Sequence, residues 1–426
     1  MKLTFTSPPT GGTLPAIPSK SAAHRMLICA SLADAPTEIL CPSTSADIDA
    51  TADCLRALGA RVTRTDTGFH VAPAAPPYPE HPVLDCGESG STLRFLLPVV
   101  GALGIHARFV RRGRLAQRPL SPLYEEMIRH GACLPEDPAT EPLPLGGKLT
   151  PGAYTLAANV SSQFISGLLM AFPTLEGEAS LSLSGKIESA DYIRITKTVM
   201  ERFGASPTVS ADERTYSVPA RGYRSPGKIA VEGDWSNAAL WLVMGAIGRH
   251  PITVTGLDPD SPQGDRRIAD VLRRFGADVR WTGNGALTAA PAKLCGCHVD
   301  AAQIPDLVPV IAAAAAAAEG ETVITGIARL HLKESDRVAA VTDVLSALGA
   351  DIVSREEAIV IRGGRRLHGG VVSSHSDHRM VMCAACAALL SDGAVTVTGA
   401  QSVNKSYPGF ARDFAALGGT YTCEED

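Results

Sequence analysis

Val341-Thr-Asp-Val-Leu-Ser-Ala-Leu-Gly349-Ala-Asp-Ile shows how the whole chain is organised. Its apolar residues fall at i, i+3 and i+4, which gathers them on one side of a helix. Gly349 follows them and suits the left-handed position that ends a helix, since it has no Cβ to clash there. The residues after it return as a strand. The same phrase occurs five more times: Asp53-Cys-Leu-Arg-Ala-Leu-Gly59-Ala-Arg-Val, Leu123-Tyr-Glu-Glu-Met-Ile-Arg-His-Gly131-Ala, Val199-Met-Glu-Arg-Phe-Gly204-Ala, Ile268-Ala-Asp-Val-Leu-Arg-Arg-Phe-Gly276-Ala-Asp-Val and Phe410-Ala-Arg-Asp-Phe-Ala-Ala-Leu-Gly418-Gly. Successive glycines stand 72, 73, 72, 73 and 69 residues apart. Six copies at near-constant spacing are an internal repeat.

Between the marker helices lie strand-like runs such as Tyr154-Thr-Leu-Ala-Ala, Ser180-Leu-Ser-Leu-Ser and Ala394-Val-Thr-Val-Thr-Gly. Second helices are expected over residues 91–103, 162–172, 236–247 and 306–318. A strand–helix–strand–helix–strand–strand unit, repeated six times, accounts for the chain. A unit of roughly 72 residues is small for its own core, so the units must pack on one another, three to a domain. A helical solenoid is excluded by the strand-like runs and the long period.

Composition narrows the partners. Of the 426 residues 45% are hydrophobic and 19% charged, which fits a folded chain and not a disordered one. Lys and Arg number 39 against 44 Asp and Glu, a net charge of −5, so no global pull toward nucleic acid or anionic lipid exists. The longest apolar run, residues 308–318, is eleven residues, short of a membrane span. Residues 1–12 are polar and carry no leader-like apolar core. The ten cysteines follow no disulfide spacing, so a reduced, cytoplasmic protein is expected. Cys383-Ala-Ala-Cys386 lies in an Ala-rich helix, where Cys packs as a small hydrophobe. Cys295-Gly-Cys297 is the other pair that invites a metal or redox reading.

The polar motifs cluster at helix starts. Pro18-Ser19-Lys20-Ser21-Ala22-Ala23-His24-Arg25 and Asp85-Cys-Gly87-Glu-Ser-Gly90-Ser91-Thr92-Leu-Arg94 each lead into an apolar helix, where backbone N–H groups and the helix dipole favour an anion. The second lacks the endings of nucleotide-binding loops. Ser19 or Ser21 also reads as a plain cap, with Arg25 solvated. Arg108, Arg111, Arg112, Arg114 and Arg118 point to a polyanionic small ligand, some of them as ordinary surface charge. Ser161-Ser162-Gln163 offers hydroxyls and an amide for phosphate or polyol oxygens. Leu332-Lys333-Glu334-Ser335-Asp336-Arg337 puts Lys333 and Arg337 one helical turn apart with Glu334 between them. Asp306 stands either as a helix cap or as a reactive carboxylate. Ser374-His375-Ser376-Asp377-His378-Arg379-Met380 contains two histidines, but no third ligand in register for a metal. Small phosphorylated or carboxylated metabolites are the expected ligands.

Taken in order, these motifs resemble the 5-enolpyruvylshikimate-3-phosphate synthases (3-phosphoshikimate 1-carboxyvinyltransferases), over essentially the whole chain. Lys-Glu-Ser-Asp-Arg and Asp-His-Arg-Met carry the resemblance most specifically, and Lys405 in Asn404-Lys405-Ser406 extends it. It implies two inside-out α/β domains, each of three βαβαββ repeats, with the active site in the interdomain cleft. Residues 1–18 and 232–426 would form one domain and 19–231 the other.

The implied reaction moves the enolpyruvyl group of phosphoenolpyruvate to the 5-hydroxyl of shikimate 3-phosphate. Asp306, Glu334 and Lys20 are the implied catalytic set, with Asp306 the base on the hydroxyl and Glu334 the proton donor and acceptor at C3. Lys20, Ser21, Arg25, Ser161, Ser162, Gln163, Ser189, Tyr192, Asp306 and Lys333 would hold shikimate 3-phosphate. Lys20, Gly90, Arg118, Gln163, Arg337, Arg379 and Lys405 would hold phosphoenolpyruvate. The resemblance implies no metal or organic cofactor, a monomer in the cytoplasm, no nucleic-acid or membrane partner, and glyphosate as a competitor of phosphoenolpyruvate.

Arg329 and His331 depart from the family's usual residues, and Ser91 replaces a common Thr. The enolpyruvyl transferases acting on UDP-N-acetylglucosamine are the nearest rival; they carry a reactive Cys in the Arg-rich loop, where Arg111-Arg-Gly-Arg-Leu-Ala-Gln-Arg118 has none. A non-catalytic phosphometabolite sensor is the other alternative, against which the Asp306 and Glu334 carboxylates stand.

Overall fold

The computed structural model describes residues 1–283 and 285–425. Each of the six marker helices ends as its glycine predicts: Gly59, Gly131, Gly204, Gly276, Gly349 and Gly418 all have φ between 76° and 100°. After each the chain turns back into a strand, from Arg61–Thr65 to Thr420–Glu424.

Among the described residues the strands form six four-stranded sheets with one shared pattern. In the sheet opened by Val83–Asp85, that strand runs parallel to Ala107–Val110. Ala107–Val110 then pairs antiparallel with Leu143–Gly147, which pairs antiparallel with Ala132–Cys133. The parallel step is the one that needs a helical crossover; the antiparallel steps need only short returns.

Three of the six sheets take their strands in strict succession, those opened by Val83–Asp85, Gly152–Ala157 and His298–Asp300. The other three borrow one. Lys228–Ala230 runs parallel to Thr37–Leu40, and Gly12–Pro15 runs parallel to Ile252–Thr255. Lys2–Ser7 sits antiparallel between Val395–Thr398 and Thr420–Glu424. The glycine period marks helix ends, and strand pairing across two or four hundred residues leaves no trace in it.

The chain divides into two compact units, Met1–Ile17 with Glu232–Asp426, and Pro18–Val231. Each has its own apolar core. Three helices lie inside each unit and the sheets lie outside them, the inside-out arrangement. In the second unit Gly90–Leu103 packs on both Lys20–Ser31 and Ser162–Ala171. The last contact is close: a Cβ on Gly167 would lie 2.3 Å from the Arg94 carbonyl oxygen, so only glycine fits. In the first unit Trp235–Ile247, Val308–Ala317 and His378–Ala388 pack on one another. Nearly every residue of these six helices is buried, as befits helices apolar all round. Their polar groups are therefore left to the ends, and that is where the motifs sit.

Candidate functional site

In the second unit the inner helices begin at serines. Ser19 accepts from the Ala22 N–H, Ser89 from Thr92 and Ser161 from Gln163. The capping reading of Ser19 is thus correct, but the solvated reading of Arg25 is not. Arg25 is 2% exposed. Its Nε donates to Thr196 Oγ1 at 2.7 Å, Nη1 to the Ser21 carbonyl at 2.7 Å, and Nη2 to Ser166 Oγ and the Tyr192 carbonyl at 3.1 and 3.2 Å. Burial lowers its pKa to about 9, against the pull of Tyr192 and Cys29. Lys20 pairs with Asp47 at 2.8 Å, a partner the sequence reading overlooked. Burial, with Lys20 and Arg25 nearby, holds the His24 pKa well below its usual value, so this imidazole stays neutral.

Arg94 ties the remaining groups together. Its Nη1 donates to Gln163 Oε1 at 2.7 Å and its Nη2 to the Pro119 carbonyl at 3.0 Å, beside Arg118. The Gln163 amide donates in turn to Ser91 Oγ at 3.0 Å. Arg118 lies directly over Gly90: a Cβ there would be 2.6 Å from its Nη1. Ser189 is buried with φ 54°, at the entry to Ala190–Arg202, the helix that carries Tyr192. The other arginines of the basic run serve the fold or the surface. Arg111 is buried on Glu141, Arg112 pairs with Asp85, and Arg108 and Arg114 are exposed.

In the first unit the groups converge on Arg337, 1% exposed. Its Nη1 meets Asp306 Oδ1 at 2.5 Å, its Nη2 Glu334 Oε2 at 2.8 Å and its Nε Asp377 Oδ2 at 2.7 Å. Lys333 Nζ also reaches Asp306 Oδ1, at 3.1 Å. The helical spacing expected of Lys333 and Arg337 is corrected: the helix is Arg337–Ala347, capped by Asp336, and Lys333 lies before it. The two cations meet through Asp306 instead. Burial works against the charge of Arg337, yet Asp377, Glu334 and Asp306 together raise its pKa well above the usual value. Burial also lowers Lys333, partly offset by Asp306. Asp377 resists burial because Arg337 holds its carboxyl below the usual range.

Asp306 does not cap its helix. A short 3-10 turn, Pro305–Leu307, precedes Val308–Ala317 and leaves the carboxylate to the two cations. Among the described residues the five other inner helices are each capped by the side chain before them. Arg379 donates its Nη1 to the Ser236 carbonyl at 2.8 Å and its Nη2 to the Ser236 hydroxyl. Lys405 Nζ donates to the Ser376 carbonyl at 2.8 Å. His331 pairs with Asp336 at 2.8 Å, so it supports a helix cap.

Among the described residues no group of three His, Cys, Asp or Glu could hold a metal. His375 pairs with Asp343 while His378 is buried. Cys383 and Cys386 are buried, and burial pushes the Cys383 thiol up to about 12. Asp377 and Arg94 were legible in the quoted motifs, though without a role. Asp265 and Ser236 lay outside every motif.

Solved structures with this fold include the EPSP synthase of Acinetobacter baumannii, at a TM-score of 0.81 and 24% identity with both chains covered 100%. The enolpyruvyl transferase NikO of Streptomyces tendae follows at 0.78 and 20%, covering 99% of this chain and 98% of that one. The architecture is therefore that of the enolpyruvyl transferases. The family model described as EPSP synthase (3-phosphoshikimate 1-carboxyvinyltransferase) matches residues 7–414, and the chain belongs to that family. A 3-phosphoshikimate 1-carboxyvinyltransferase of Clostridium kluyveri is 38% identical over 402 residues, 94% of each chain. One of Clostridium perfringens is 36% identical over 423 residues, 98% of each. Members of this family catalyse the enolpyruvyl transfer of the shikimate pathway, with shikimate 3-phosphate and phosphoenolpyruvate as substrates, and the chain is an enzyme of this kind. No helix among the described residues is long and apolar enough to cross a membrane.

Proposed function

We propose that this enzyme transfers the enolpyruvyl group through the two carboxylates that share Arg337. The observation that carries the reading is that Asp306 and Glu334 sit on the two terminal nitrogens of one buried guanidinium, at 2.5 and 2.8 Å. Asp306 takes the proton of the shikimate 5-hydroxyl as its oxygen attacks C2 of phosphoenolpyruvate, and Glu334 delivers a proton to C3. Glu334 then removes a proton from C3, the C2–O bond to phosphate breaks, and phosphate leaves. Arg337 keeps both carboxylates in place, and Lys333 steadies the charge on Asp306.

The binding groups divide by the chemistry they offer. Guanidinium and ammonium groups match phosphate and carboxylate oxygens: Arg337, Arg379 and Lys405 in the first unit, and Lys20 and Arg118 with Gly90 and Gln163 in the second, take phosphoenolpyruvate. Ser161, Ser162, Gln163, Ser189, Tyr192, Ser21, Arg25 and Lys20 take shikimate 3-phosphate, with Asp306 and Lys333 at its hydroxyl end. Four of the five Arg25 N–H donors are engaged within the unit, which leaves it one to offer. The ten free thiols support a reducing, cytoplasmic setting, and a monomer holds every assigned residue.

Phosphate release from phosphoenolpyruvate tests the reading. It is expected with shikimate 3-phosphate and not with UDP-N-acetylglucosamine. Asp306→Asn and Glu334→Gln should each lower kcat by about 10²-fold or more, with smaller changes in KM. Comparable turnover of the nucleotide sugar, or near-normal rates in both variants, would overturn it.

A further inference from the structure

Arg379 is held from outside its own helix. Its Nη1 and Nη2 both donate to Ser236, the first to the carbonyl at 2.8 Å and the second to the hydroxyl oxygen. A hydroxyl that accepts in this way still has its own proton to give, and the buried Asp265 carboxylate is the group whose charged form this hydroxyl favours. Asp265 is 5% exposed, on the short 3-10 turn Gly264–Arg267. Its neighbour Gln263 grips the same stretch of backbone: Oε1 accepts from the Trp235 N–H at 3.0 Å, and Nε2 donates to the Gly233 carbonyl at 2.8 Å. Residues 263–265 therefore clamp residues 233–236, on which the Arg379 guanidinium rests.

We propose that Asp265 is a positioning residue, which through the Ser236 hydroxyl sets the orientation in which Arg379 receives phosphoenolpyruvate. The inference rests on the assignment of Arg379 to that substrate. A buried carboxylate with no role would be costly to keep, since burial disfavours its charged form. The groups facing Asp265 are the ones it would serve. Burial raises its pKa to about 7, and Asp306 and Asp234 add to the rise, while the Ser236 hydroxyl and Arg379 oppose it. Below that pH Asp265 takes up a proton, its attraction for Arg379 ends and the clamp loosens. Above it the charged carboxylate orders Ser236 and Arg379 together.

Asp265→Asn and Ser236→Ala, assayed with each substrate varied in turn at pH 8 and pH 6, test this, with Arg379→Ala as the reference. Ser236→Ala removes the hydroxyl and leaves the carbonyl, so it disturbs the fold least. At pH 8 both variants should raise KM for phosphoenolpyruvate about tenfold, with kcat and KM for shikimate 3-phosphate moving by less than about twofold. At pH 6, where the wild-type carboxyl is itself mostly protonated, the ratio of Asp265→Asn to wild type should fall toward one. Comparing at a single pH cancels the ionisation of phosphoenolpyruvate. Equal rises in both KM values, an unchanged KM for phosphoenolpyruvate in either variant, or a ratio that does not depend on pH would overturn the proposal. If Arg379→Ala leaves that KM unchanged, the assignment of Arg379 fails first and this inference falls with it.

Discussion

Gly90 illustrates how much one missing methyl group decides. It opens the helix Gly90–Leu103 without entering the left-handed region, so its backbone would accept any residue. What a side chain would meet is Arg118, whose Nη1 lies 2.6 Å from an ideal Cβ. Gly90→Ala should therefore fold normally and displace the guanidinium. We expect glyphosate, the longer ligand, to lose more than phosphoenolpyruvate, with an inhibition constant raised about tenfold or more beyond any change in KM. Inhibition constants beside KM values check this. An equal loss would mean that both ligands depend on Arg118 alike. Arg337 is the opposite case at the same scale: three carboxylates hold one cation that burial alone would leave poorly solvated.

The N-terminal strand Lys2–Ser7 takes both its neighbours from the far end of the chain. It lies between two partners that come about 390 and about 420 residues later, pairing Leu3 with Val397 and Cys423 and Phe5 with Val395 and Tyr421. Phe5 is 2% exposed and packs against Phe410 and Phe414, with ring centroids 6.1 and 5.1 Å away. Phe5→Ala removes a large buried ring from a close-packed site and should cost about 3–5 kcal/mol. In a thermal melt the loss should fall on the first unit, with little change in the transition of the second. A uniform shift of both transitions, or none, would contradict the separation of their cores.

At the level of the whole molecule, residues 18–231 are an insertion between the first two strands and the rest of the first unit. Their core shares no residue with the other, and the borrowed strand Lys228–Ala230 closes the sheet begun by Thr37–Leu40 from within the same segment. The excised segment should thus unfold cooperatively by itself, as a domain with its own core does. It should release no phosphate from phosphoenolpyruvate, because Asp306 and Glu334 remain in the other unit. Calorimetry of the segment and a phosphate assay check both halves; a non-cooperative melt would show that its core needs the first unit.

Much of this was legible in the chain. Six positive-φ glycines, the one-sided helices and the serine-capped inner helices are local features, decided within a turn or two by sterics and hydrogen bonding. The runs around Lys20, Gly90, Gln163, Lys333 and Arg379 could be found for the same reason. Other features depend on contacts between residues far apart, and no period or motif records those. The particular pairings of Lys2–Ser7, Gly12–Pro15 and Lys228–Ala230 are one, because an unpaired strand edge accepts whichever strand the packed helices bring to it; the family resemblance implied only that residues 1–18 join residues 232–426. The release of Asp306 from capping, its meeting with Lys333 and Arg337, and the burial of Asp265 beside Ser236 are others. Sequence determined the helices, their ends and the residues at those ends; tertiary structure decided which strands share a sheet and which charges share a partner, since both are settled only when separate helices pack into one core.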